Sequence, residues 1–352
     1  MTYSFCVHIP WLVLFAGVIV GAVTMVGAVH GRAAAYNDDG HFYTAVSIAH
    51  SRLPAFQGKS RDAAVLIALC AQVPDLAKEF DAVSLRVRLA GSLQGTLWGG
   101  FSSCRGGDVS HMVTVHHYLH GLTDGNSDAV TEAAGKILQD LLPAGEGPEQ
   151  LDPNRVCAAG FAVHLLGDSF AHRRIKDPKR MYPPGRGHLS DDHNPDFILY
   201  NTERSQSYLK YAQELDKALK SLPADARWKA LSGVLQQLSQ GAELGNRYSE
   251  DALRNAFRET LRTSTGDDTP VWAPYKPTVE ELSKTGGLVL TRTCKEVLDT
   301  HAPAAAKTSL SCNAVWARYK EAAIPAFKNA KIAQTCPADD AWTDGLSPRG
   351  SK

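Results

Sequence analysis

One stretch of this chain admits few folds: Phe161 to His172 reads Phe-Ala-Val-His-Leu-Leu-Gly-Asp-Ser-Phe-Ala-His, an apolar run interrupted by a polar group at every fourth position. That spacing belongs to a helix rather than to a strand, whose apolar residues would alternate. At about 100° per residue, a step of four drifts a side chain by only about 40°, so His164, Asp168 and His172 leave nearly one face. Of the remaining positions only Ser169 is polar, close to the pattern of a helix buried on all sides. Three polar groups facing a core must find partners or cost about 2 kcal/mol or more each in desolvation. A neighbouring carboxylate is one such partner for the histidines, and a metal ion is another.

The other histidines favour the metal. Ten of the thirteen lie between His41 and His193. His116, His117 and His120 crowd another helix, and His188-Leu-Ser-Asp-Asp192 repeats the histidine-to-acid spacing. No Cys-x-x-Cys pair occurs, which argues against a thiolate site. Imidazole and carboxylate without cysteine suit zinc in a catalytic role, where one coordination position stays open to water.

Helical periodicity recurs near 41–52, 61–72, 126–142, 153–172, 198–221 and 308–332, and strand patterns are scarce, so the fold class expected is all-α. Asn126 and Asp152 stand where N-caps belong, and Pro153 where a first helical turn tolerates proline. The glycine-rich span 93–107, with Cys104, and the span 173–197, with Pro178, Pro183, Pro184 and Pro195, read as loops. Residues 264–278 carry Pro270, Pro274 and Pro277 and mark an edge between a main domain, 36–265, and a C-terminal helical extension and tail, 266–352, which can also belong to the same domain.

Residues 11–29 form an uncharged apolar run, near the roughly 20 residues needed to span a bilayer, and act either as a targeting element or as an anchor. Small residues three and one before Tyr36 suit signal-peptidase cleavage there, making 1–35 a signal peptide and the product secreted or periplasmic; an uncleaved anchor is the alternative. Six cysteines, Cys70, Cys104, Cys157, Cys294, Cys312 and Cys336, would remain, enough for up to three disulfides in an oxidising compartment with connectivity left open. Lys plus Arg and Asp plus Glu both total 37, so no net field proposes a nucleic acid or an anionic membrane as partner.

With cleavage before Tyr36 the chain begins Tyr36-Asn-Asp-Asp-Gly40-His41. That start, followed by Asp75, His117-Tyr118, His164-Leu-Leu-Gly-Asp168, His172 and His188 with Asp192, resembles the superfamily joining zinc-dependent phospholipases C to single-strand-specific nucleases. Its usual first residue is Trp, and its histidine after the helical aspartate stands six residues on rather than four. The shorter spacing is similar to a bacterial branch, in which Asp196 competes with Asp192. The resemblance covers Tyr36 to about Asp196.

It implies a multi-helix phospholipase C/nuclease-like bundle with a metal cluster in a cleft and three zinc ions. One ion takes Asp75, His117, His164 and Asp168; a second takes His172, His188 and Asp192; the third takes the Tyr36 terminus, His41 and a bridging Asp168. Asp75 is also expected to orient or deprotonate the attacking water. The substrate is then a phospholipid or other phosphodiester, with membrane-surface contact, Trp98-Gly-Gly-Phe101 serving an apolar cleft mouth. A nuclease would use Tyr182, Trp228, Trp272 and Tyr275 against bases. From a different class, a zinc-stabilised envelope protein without catalysis would hold the same ligands closed to water.

Overall fold

The computed structural model describes residues 39–52, 59–82, 85, 107–123, 125–143, 146, 150–182, 202–219 and 292–332, and among these the regular structure is helical, without a strand. A single π turn, Asp39–Tyr43, leads into α1 (Thr44–Arg52). Then come α2 (Lys59–Leu76), α3 (Gly107–Tyr118), α4 (Ser127–Leu141), α5 (Pro153–Ala171), α6 (Thr202–Ala218), α7 (Cys294–His301), α8 (Ala304–Lys307) and α9 (Cys312–Asn329).

The helix α5 is the axis of the core. Asp152 caps it by accepting from the Asn154 amide, Pro153 opens its first turn, and every residue from Val156 to Ala171 is buried. Helices α2, α4, α6 and α9 pack around it. Against α2 the approach is at backbone distance: a Cβ on Gly160 would lie 2.5 Å from the Ile67 carbonyl oxygen and 2.6 Å from the Cys70 Cβ. Only glycine fits there, and the Cys70–Cys157 disulfide, with Cα atoms 5.2 Å apart, joins the same two helices.

Asn126 caps α4, its Oδ1 accepting from the Asp128 amide at 2.8 Å and the Ala129 amide at 3.3 Å. Val130, Ala133, Ala134, Ile137, Leu138 and Leu141 then form the buried stripe that spacing by threes and fours predicts. Residues 173–182 leave the helical pattern, as Pro178 suggests, and form two isolated bridges, Asn126 with Arg180 and Arg173 with Met181.

The C-terminal helices pack into the same core. A capping box of Thr293 and Glu296 starts α7, the Cys294–Cys312 disulfide ties its start to the start of α9, and α9 buries Val315, Trp316, Tyr319, Ala323, Ala326 and Phe327 against α4 and α5. All described helices belong to the compact unit Ala33–Lys352. No helix among the described residues is long and apolar enough to cross a membrane, and residues 11–29 lie outside them. The two disulfides are compatible with an extracellular or periplasmic compartment. Cys104 and Cys336 lie outside the described residues.

Candidate metal centre

His164 and Asp168 project from one face of α5 toward the end of α2. There Pro74, inside the last turn of α2, has no N–H to donate to the Cys70 carbonyl. His164 Nδ1 lies 2.9 Å from the Ala71 carbonyl oxygen. A carbonyl only accepts, so the ring proton belongs on Nδ1 and the Nε2 lone pair is directed into the site. Nε2 is 3.1 Å from Asp168 Oδ2 and 3.9 Å from Asp75 Oδ1.

His120 is arranged in the opposite sense. Its Nε2 donates to the Phe80 carbonyl at 2.9 Å, which leaves Nδ1 facing Asp168 Oδ2 at 2.9 Å and His164 Nε2 at 3.2 Å. His41, held in the π turn, stacks on His164 with ring centroids 4.2 Å apart. Its Nε2 is 3.2 Å from Asp168 Oδ1 and 3.9 Å from Asp75 Oδ2, yet neither His41 Nε2 nor Asp168 Oδ1 has a hydrogen-bond partner. Two buried polar atoms that face each other without a hydrogen bond suit a shared cation better than a shared proton.

Gly167 makes room for this stack, since a Cβ there would lie 2.9 Å from His41 Cε1 and 3.0 Å from its Nδ1. His172, at the end of α5, donates from Nδ1 to the His120 carbonyl at 2.8 Å, which places the ring proton on Nδ1 and the lone pair on Nε2. The same Nδ1 is 3.6 Å from Asp168 Oδ2.

His41, Asp75 and His164 form one buried group able to hold a metal ion, and His120, His164 and Asp168 form another. Burial lowers the pKa of His164 to about 3, aided by the charges of His41 and His120 and opposed by Asp168, so its imidazole is neutral, the ligating form. Burial alone would raise Asp168, but His164, His172 and His120 hold it well below the usual carboxylate range. Burial also presses on His120, whose pKa is nevertheless raised by the hydrogen bond and charge of Asp168, the Phe80 carbonyl and the charge of Asp81.

Of the residues expected from sequence, His41, Asp75, His164 and Asp168 come together, with His172 at their edge. His117 does not join them. Its ring lies against Tyr118 and Phe327, with centroids 4.7 and 5.0 Å away, and neither ring nitrogen has a hydrogen-bond partner. His120 stands in the cluster instead, because α3 ends at Tyr118 and the chain turns through Gly121, at φ 62°, delivering the histidine just before the turn. The crowding of histidines at 116–120 pointed to this region, but which of them faces α5 depends on how α3 is rotated in its packing.

Tyr36, His188, Asp192 and Asp196 lie outside the described residues, as do Trp98, Phe101, Trp228, Trp272 and Tyr275. Tyr182 is 3% exposed, too buried to serve as a stacking platform for a base. Comparison of the chain with protein-family models, with curated proteins and with solved structures finds no match in any of the three.

Proposed function

We propose that this protein is a zinc-dependent phosphodiester hydrolase of phospholipase C type. One observation carries the reading: His120 and His164 each commit one ring nitrogen to a backbone carbonyl and turn the other toward Asp168, with Asp75 and His41 closing the ring of donors. Backbone carbonyls that fix the tautomer of ligating histidines are a regular feature of metal sites. Donors at about 2.1 Å from a tetrahedral zinc stand roughly 3.4 Å apart. The separations here, 3.2 Å for His41 to Asp168, 3.1 Å for His164 to Asp168 and 3.9 Å for His164 to Asp75, bracket that value.

In this reading Asp75, His120, His164 and Asp168 hold one ion, with His120 in the place first expected of His117. His41 and Asp168, with the Tyr36 terminus, would hold a second ion, and His172, with His188 and Asp192, a third; Tyr36, His188 and Asp192 lie outside the described residues. Bound zinc supplies Lewis acidity toward phosphoryl oxygen and acidifies water. The chain's own contributions are orientation and proton transfer. Gln72 donates to Asp75 Oδ2 at 3.4 Å and so helps to hold the carboxylate that this reading assigns to orient or deprotonate the attacking water.

A structural ion in an envelope protein without catalysis is the second reading, favoured by the complete burial of His41, His164 and Asp168. The two separate in one experiment on the mature chain, with zinc measured by mass spectrometry and hydrolysis of bis-(p-nitrophenyl) phosphate and p-nitrophenyl-phosphorylcholine followed with and without a chelator. Turnover that the chelator abolishes and zinc restores is expected. Tightly held zinc with no turnover would establish the structural reading, and cleavage of single-stranded nucleic acid alone would move the assignment to a nuclease.

A further inference from the structure

Resting on the metal reading, we infer that the C-terminal helices are part of the metal centre's scaffold and that Tyr319 is a positioning residue for His120. The role of His120 depends on two backbone elements: the end of α3, which carries it, and the carbonyl of Phe80, which orients its ring. Both are fastened by residues of the segment 292–319.

On the first side, the Tyr319 hydroxyl donates to the Tyr118 carbonyl at 2.5 Å. Tyr118 is the last residue of α3, where carbonyls lose their helical partners, and His120 follows two residues later. On the second side, the Lys78 amide donates to the Arg292 carbonyl at 2.9 Å and the Cys294 amide donates to Glu79 Oε2 at 3.0 Å. The Trp316 ring packs on Phe80 itself, with centroids 5.3 Å apart. The Cys294–Cys312 disulfide closes the clasp by tying the start of α7, beside Glu79, to the start of α9, which carries Trp316 and Tyr319.

The phenol of Tyr319 is fully buried, and its proton is held by burial first and by the charge of Asp168 second, so the group lies within the field of the cluster. Its hydrogen bond goes to the Tyr118 carbonyl and not to a side chain of the cluster. Its effect passes through the Tyr118 carbonyl to the turn that delivers His120. Removing the hydroxyl leaves that carbonyl buried without its partner and frees the turn to shift, which moves Nδ1 of His120 away from Asp168 Oδ2. Loss of a supporting contact behind a ligand lowers metal affinity by about 10- to 100-fold.

The test uses the full chain and titrates metal-free protein with Zn2+ and with Co2+, whose visible absorption reports coordination. Tyr319→Phe, the smallest change that removes the hydrogen bond, is expected to weaken metal binding by about tenfold or more and to alter the Co2+ spectrum. Glu79→Ala, which releases the other side, is expected to act in the same direction. Val315→Ala serves as the control, since it loosens the packing of α9 without touching either hydrogen bond, and its metal affinity and spectrum should match wild type even where thermal stability falls. If Tyr319→Phe binds Co2+ with wild-type affinity and spectrum, or if Val315→Ala is equally impaired, Tyr319 has no positioning role. A wild-type chain that takes up neither ion would instead remove the metal reading, and this inference with it.

Discussion

At Gly167 a single missing methyl separates two effects that oppose each other. Alanine in a helix interior is favoured over glycine by about 1 kcal/mol, while forcing an atom into packed surroundings costs about 1–3 kcal/mol. A Cβ at 2.9 Å from the His41 ring, which is itself stacked on His164, falls in the second class. Gly167→Ala is expected to leave thermal stability nearly unchanged but to displace His41, weakening zinc affinity by about tenfold and lowering zinc content at limiting metal. Unchanged metal binding in a folded Gly167→Ala protein would show that His41 is not a ligand. The glycine in His164-Leu-Leu-Gly167-Asp168 thus has a steric reason that the motif's spacing alone does not disclose.

Between elements, the contact of α2 with α5 decides whether Ala71 can reach His164. Gly160 permits the approach, and the Cys70–Cys157 disulfide, with a sequence separation of 87, limits how far the unfolded chain can spread. Loop-closure entropy assigns that bond about 4–5 kcal/mol, against about 3 kcal/mol for Cys294–Cys312, whose separation is 18. Replacing Cys70 and Cys157 together by alanine should therefore lower the urea midpoint further than replacing Cys294 and Cys312 together. The reverse ranking would show that chain entropy does not govern these cross-links.

Across the molecule, acid should unfold the protein by way of buried neutral histidines. Burial lowers His117 from 6.5 to about 4. The unfolded chain accepts that proton near 6.5 while the folded chain refuses it until about 4, so the unfolded state binds more protons between those values and stability falls as pH drops through the window. At about 1.4 kcal/mol per pH unit the loss attributable to His117 between pH 7 and pH 4 is about 2–3 kcal/mol. His117→Leu keeps the apolar contacts with Tyr118 and Phe327 and carries no titrating group, so its unfolding free energy, measured by urea titration at the two pH values, should fall by less than that of wild type. Equal acid sensitivity in the two proteins would place the labile groups elsewhere. His120 differs from His117: burial presses its pKa down, but the hydrogen bond and charge of Asp168 leave it raised, so it contributes no such loss.

What the sequence determined by itself was local. The caps at Asn126 and Asp152, the buried stripe of α4, and the single face shared by His164, Asp168 and His172 all follow from contacts within one turn or one helix, where spacing is geometry. What the tertiary structure alone decided was rotation and contact between elements. The imidazole that faces Asp168 is His120 and not His117, because the packing of α3 and the turn at Gly121 choose among neighbouring histidines with identical chemistry. The pairings of Cys70 with Cys157 and Cys294 with Cys312, the seat that Gly167 leaves for His41, and the hold of Tyr319 on the Tyr118 carbonyl likewise join residues far apart in the chain. No local period encodes such contacts, since they arise only when helices close-pack and each buried polar atom must find a partner among whatever groups that packing brings within reach.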